Sequence, residues 1–152
     1  MVLPVFNCEA WLEALLVSVL DQESVSLEVV AICDGATDRS LAILQTIAAR
    51  DARMRVDAQA NRGVSATRNA GLSLARGEWV VFADGEDWMK PGALRTWIEH
   101  GRRADLEVVI GNGIGFDTTP LDAPPSPLYE GQPWDEICDG KIWMMRTVPN
   151  DD

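Results

Sequence analysis

Short apolar runs alternate with amphipathic stretches along the first 110 residues, and this alternation constrains the fold more than any other feature of the chain. Leu27 to Cys33 is apolar at nearly every position, the pattern of a strand in a parallel sheet covered on both faces. Met1 to Phe6, Met54 to Ala58, Glu78 to Ala83 and Leu106 to Ile110 read as further strands. Between them, Trp11, Leu12, Leu15, Leu16, Val19 and Leu20 recur at helical spacing, as do Leu41, Leu44, Ile47 and Ala48. Val64 to Ala75 reads as a third helix, stopped at Arg76-Gly77, and Pro91 opens a fourth through Leu94, Trp97 and Ile98. Asn7 can cap the first helix, and the turn Asp34 to Asp38 ends in a cap for the second. The order β-α-β-α-β-α-β-α-β predicts an α/β sandwich with a mostly parallel sheet.

After Gly111 the pattern fails. Pro120, Pro124, Pro125, Pro127 and Pro133 crowd a stretch with no period, and Trp134 to Met145 has room for one short helix. The chain therefore divides into a regular part, 1–110, and an irregular Pro-rich part, 111–152. The glycines of Gly111-Asn112-Gly113-Ile114-Gly115 follow a strand but lack the third glycine of a dinucleotide loop at the required spacing, and Thr118-Thr119-Pro120 follows in place of a helix. His100, near a helix end, reads as a charge partner for that end.

Chemistry is concentrated where the Glu78–Ala83 run stops, at Asp84, Glu86 and Asp87. Carboxylates this close repel one another unless a positive charge sits among them. A hard cation such as Mg2+ or Mn2+ would supply it, and it is commonly shared with substrate phosphates. In open α/β sheets the ligand crevice lies at the carboxyl ends of the strands. The alternative is a solvated acidic turn bent at Gly85. A net charge of −11 argues against nucleic acid and against an anionic membrane surface. Cys8, Cys33 and Cys138 form no CxxC and have no metal-type spacing, which fits a reducing, cytoplasmic setting. No apolar run reaches the length of a membrane span.

Four segments occur in order: Pro4-Val5-Phe6-Asn7, Asp34-Gly35-Ala36-Thr37-Asp38, the run from Asn61-Arg62-Gly63 to Arg68-Asn69-Ala70-Gly71, and Phe82-Ala83-Asp84-Gly85-Glu86-Asp87-Trp88. Together they resemble the family-2 glycosyltransferases, over roughly residues 1 to 110. The resemblance implies a GT-A α/β/α sandwich, here in a chain that could be a truncated member. It also implies transfer of a sugar from a nucleoside-diphosphate donor such as a UDP-sugar to a saccharide or lipid-linked acceptor. The transfer would be inverting and metal-dependent, of the kind used to build bacterial surface polysaccharides.

By that resemblance Pro4, Phe6, Asn7 and Glu9 border the base, with Phe6 either stacking on it or lying in the core. The first of two expected acids after the second strand is Cys33, leaving Asp34 to contact the base. The arginine and glycine of the Arg62-Gly63 turn, and Arg68, approach the nucleotide; the alternative for Arg68 is a surface ion pair. Asp84 would meet the ribose or the metal, and Glu86, in place of the usual aspartate, would bind the Mg2+ or Mn2+. The region 111–152 would be an incomplete acceptor part. There Asp135, Glu136 and Asp139 are candidates for the catalytic base, and surface acids otherwise. The competing expectation is a non-catalytic domain of the same fold that binds nucleotide or a partner. A nucleotidyltransferase would need a glycine-rich basic loop after the first strand, and Pro4 to Glu9 has none.

Overall fold

The computed structural model describes residues 1–109, together with the backbone of two short strands further on. Residues 1–109 form one compact unit. Its elements are β1 (Val2–Val5), α1 (Leu12–Leu20), β2 (Val29–Asp34), α2 (Ser40–Ala48), β3 (Met54–Gln59), α3 (Val64–Leu74) and α4 (Ala93–Arg103). In the second unit, β4 (Ile114–Gly115) pairs antiparallel with β5 (Ser126–Pro127).

The strands β1, β2 and β3 make a parallel sheet in the order β1-β2-β3, with Val2 opposite Val30 and Val29 opposite Met54. Every residue of β1 and β2 is buried, as their apolar runs require when both faces are covered, and β2 ends on the buried Asp34. Side chains alternate across a sheet. Leu3, Val5, Val29, Ala31 and Cys33 therefore share one face, where they join the core formed with Leu12, Leu15, Leu16 and Val19 of α1 and Leu44 of α2. Val2 and Ile32 point the other way, against α3. The approach there is close: a Cβ on Gly71 would lie 2.4 Å from Val2 Cγ1. Helices on both faces complete the α/β sandwich expected from the sequence.

Several expected boundaries differ. The strand predicted at Glu78 to Ala83 is a single parallel bridge, Phe82 to Val2. Val2 N donates to Val81 O (2.8 Å) and Ala83 N donates to Val2 O (3.3 Å). Alternate residues of β1 face alternate neighbours, so the next donor on that side would be Pro4, which has no N–H. The ladder stops there, and Val80 and Phe82 stand 39% and 45% exposed on its outer side. Of the strand predicted at Leu106 to Ile110, residues 106–109 are described and have no ladder partner among the described residues, and Val108 is exposed. Asp105 at φ 51° and the bond from Leu106 N to Gly101 O close that segment as a turn after α4. The stop predicted at Arg76-Gly77 comes earlier, at an extended Ala75, and the Arg76 and Gly77 amides donate to the Glu28 carboxylate instead. Pro91 lies ahead of α4, which starts after Gly92 at φ 76°. The helix expected within 134–145 falls outside the described residues.

The start of α4 is tied to α1 by buried polar groups. Gln22 Nε2 donates to Ser18 O (3.1 Å) and Lys90 O (2.8 Å), and Gln22 Oε1 accepts from Leu94 N (3.3 Å). Ser18 Oγ accepts from Met89 N (3.0 Å). Among the described residues no helix is long and apolar enough to cross a membrane.

Candidate functional site

Each parallel strand delivers its following loop to the same end of the sheet. The loop after β1 does not begin with a helix cap at Asn7, as the sequence suggested. Asn7 sits at φ 50°, and its Oδ1 accepts from Thr37 N (2.8 Å), while α1 starts five residues later. The loop is stitched to the one after β2. Cys8 N donates to Ser40 Oγ (3.0 Å), Glu9 N to Asp38 Oδ2 (3.0 Å), and Arg39 N to Glu9 Oε2 (2.8 Å). Asp38 also accepts from Ser40 N at the start of α2 (2.9 Å), although the N-cap position itself falls one residue later than expected, at Arg39. Burial pushes the Asp38 carboxyl up, but the Ser40 and backbone hydrogen bonds outweigh it and hold its pKa below the ordinary value. Glu9 is therefore engaged with Arg39, whose guanidinium it also meets at 3.3 Å.

Asp34, 4% exposed, organises the next loop. Its Oδ1 accepts from Gln59 Nε2 (2.7 Å) and Arg62 N (2.9 Å), and its Oδ2 accepts from Gly63 N (2.9 Å). Burial acts upward on this carboxyl too, yet the bonds from Gln59, Arg62 and Gly63 win and lower its pKa. The buried Thr67 hydroxyl donates to Gly63 O (2.9 Å) and accepts from Gln59 Nε2 (3.2 Å). Gly63, at φ 83°, and Gly35, at φ 69°, take backbone conformations that other residues resist. At Gly35 a Cβ would also come within 2.7 Å of Asn61 N. Arg62 thus contributes its backbone amide, and its side chain is exposed.

The acidic turn closes the other side. Asp84 Oδ1 pairs with Arg68 Nη2 at 2.6 Å, and the Arg68 guanidinium stands 6.0 Å from the centre of the Phe82 ring. Arg68 Nε is buried with no partner among the described residues. Asp87 turns back to accept from Asp84 N (2.8 Å), so it shapes the turn.

These loops enclose an open cleft of about 340 Å³. Of the residues singled out from the sequence, Pro4, Phe6, Asn7, Asp34, Gly63, Asp84 and Glu86 line it. Phe6 is 52% exposed in its wall, which removes the core alternative. Glu9, Arg62 and Arg68 are not part of its lining, and Arg68 meets it through its pair with Asp84. Cys8, Trp11, Asn61, Val64, Thr67 and Gly85 also line it without having been given a role. Asn61, Val64 and Thr67 lie inside the quoted Asn61–Gly71 segment, and that was their only signal. Trp11 sat within an apolar helical stripe; it instead precedes α1 and is 43% exposed. Asp135, Glu136 and Asp139 lie outside the described residues.

Among the described residues no group of three or more His, Cys, Asp or Glu is gathered to hold a metal unaided. Asp84 and Glu86 together offer hard oxygen donors in one cleft. That suits a cation which completes its shell with water and substrate phosphate.

The glycosyl transferase family 2 model matches residues 1–146. The uncharacterized glycosyltransferase EpsJ of Bacillus subtilis (strain 168) is 36% identical over 115 residues, 76% of this chain and 33% of that protein. Among solved structures, S. aureus TarS residues 1–349 in complex with UDP-GlcNAc is similar with a TM-score of 0.62 and 28% identity, over 67% of this chain and 30% of that one. The mannosyltransferase PcManGT of Pyrobaculum calidifontis, in complex with GDP-Man and Mn2+, is similar in fold with a TM-score of 0.60 and 23% identity, over 64% of this chain and 30% of that one. The chain thus spans about a third of the length of these proteins.

Proposed function

Because this chain belongs to glycosyl transferase family 2 and has the GT-A fold, we propose that residues 1–110 hold a nucleoside-diphosphate sugar, with UDP as the nucleotide. The observation that carries this reading is one juxtaposition. Asp84 and Glu86 enter a cleft at the carboxyl ends of parallel strands, and Arg68 stands on Asp84. Phe6 offers an exposed ring to the base, beside Pro4 and Asn7. The Arg62–Gly63 turn, fixed by Asp34, shapes the opposite wall. Asp84 and Glu86 would hold Mg2+ or Mn2+. Bound there, such an ion would supply positive charge to the departing diphosphate. Arg68, already charged and forked, adds donors to the same oxygens when the phosphate competes for it.

The reaction is transfer with inversion. The acceptor hydroxyl oxygen bonds to the anomeric carbon, the bond to the diphosphate oxygen breaks, and a carboxylate takes the hydroxyl proton. That carboxylate belongs to the acceptor side, where this chain offers Asp135, Glu136 and Asp139 in residues 111–152. The acceptor is a saccharide or lipid-linked saccharide, in the synthesis of a surface polysaccharide, a role supported by the family resemblance alone. Free thiols at Cys8 and Cys33 support work in the cytoplasm.

Calorimetry of the whole chain with UDP, with and without Mn2+, tests the donor site. Binding enhanced by the metal and lost in Asp84→Ala is expected. Failure to bind any nucleoside diphosphate overturns the reading.

A further inference from the structure

The acidic turn meets the loop after β1 where Gly85 faces Cys8, and the fit there is tight. A Cβ built on Gly85 would lie 2.4 Å from Cys8 Sγ and 2.9 Å from Cys8 Cβ, far inside the distance at which carbon and sulfur stop repelling. The Cys8 backbone, and with it Cβ, is held on both sides. Its N–H donates to Ser40 Oγ (3.0 Å), and Ser40 is fully buried. Its carbonyl accepts from Trp11 N (3.0 Å) and Leu12 N (3.1 Å) where α1 begins. Gly85 is not among the glycines at positive φ, so a side chain there would suffer from Cys8 and not from backbone strain.

We propose that Cys8 is a positioning residue for the acidic turn: its side chain sets how far Asp84 and Glu86 stand from the loop after β1, and this obliges residue 85 to be glycine. The proposal rests on the reading of Asp84 and Glu86 as metal ligands. It adds that the spacing of those two carboxylates is set by packing against a thiol, not by the turn itself. A side chain at 85 would push the turn outward and move both carboxylates away from Phe6 and Asn7 across the cleft. Cys8→Gly would reopen the space, whereas Cys8→Ser keeps an atom at nearly the same place.

The test uses the whole chain, with UDP titrated in the absence of metal and Mn2+ titrated in the presence of UDP. Gly85→Ala should weaken Mn2+ by about tenfold or more, the scale for groups that orient metal ligands. Its metal-free UDP affinity, read alongside, tells loss of nucleotide apart from loss of metal. Adding Cys8→Gly to Gly85→Ala should return Mn2+ affinity to within roughly twofold of Cys8→Gly alone; adding Cys8→Ser should not. Wild-type Mn2+ affinity in Gly85→Ala, or equal rescue by glycine and serine, overturns the proposal. If the wild-type chain binds no nucleoside diphosphate, the donor-site reading falls, and thermal melts then judge the pair alone. A drop in Tm for Gly85→Ala that Cys8→Gly abolishes and Cys8→Ser leaves in place upholds the contact, and additive drops overturn it.

Discussion

Replacing Asp34 separates a residue that touches a ligand from one that builds the wall around it. Its carboxylate accepts from Gln59 Nε2, Arg62 N and Gly63 N within 2.9 Å and is 4% exposed. In Asp34→Ala those three donors lose their acceptor. A buried donor left unpaired costs about 1–3 kcal/mol, less where the loop can turn toward water, so a total of about 3 kcal/mol is expected. In Asp34→Asn the amide oxygen can keep the Gln59 and Arg62 bonds while the NH2 faces Gly63 N–H, for about 1–2 kcal/mol. At about 4 °C per kcal/mol for a unit of this size, Tm should fall by about 12 °C in the alanine variant and by roughly half that in the asparagine variant. The pH dependence gives a second check. The folded pKa of Asp34 is lowered, so its stabilisation is present above the unfolded carboxylate pKa and is lost as pH falls through the folded one. Melts by circular dichroism from pH 7 to pH 3 should therefore show a shallower acid loss for Asp34→Asn than for the wild type. A Tm within 2 °C of wild type for Asp34→Ala, about 0.5 kcal/mol on the same scale, with nucleotide binding lost, would refute this and make Asp34 a ligand contact.

Gly71→Ala places a methyl group 2.4 Å from Val2 Cγ1 and should cost about 1–3 kcal/mol in chemical denaturation. Gln22→Ala leaves Leu94 N and Lys90 O without their partner; about 1–3 kcal/mol is expected, with faster amide exchange at Leu94. Arg68→Lys replaces a planar fork by a point charge beside Asp84 and should weaken UDP binding in calorimetry by about tenfold, while Tm, set by a half-exposed ion pair, moves little.

The buried strands were legible because burial on both faces leaves a mark at each position: Leu27 to Cys33 can be little else. The run at Glu78 to Ala83 carried a similar mark, but a ladder is a property of two chains, and the missing amide belongs to Pro4, far away in sequence. Asn7 failed as a cap for a related reason. An asparagine side chain can serve a helix start or a distant backbone equally well, and Thr37 N is 30 residues away. Asp34 was visible as a site residue, yet nothing local reveals that its oxygens are taken by Gln59, Arg62 and Gly63. The acidic turn stood out in the sequence because like charges at Asp84 and Glu86 need a reason, and its place in the cleft follows from the run that precedes it. Its seat on Cys8 was not, since the distance between a glycine and a thiol emerges only when both loops are folded.

Proline is usually counted as damage to a sheet. At position 4 it ends the pairing between β1 and the Phe82 segment, and from there on Pro4, Asp84 and Glu86 line one cleft. An alanine there would restore one donor, and a further rung would draw Asp84 toward the roughly 4.8 Å separation of paired strands, at the expense of that cleft.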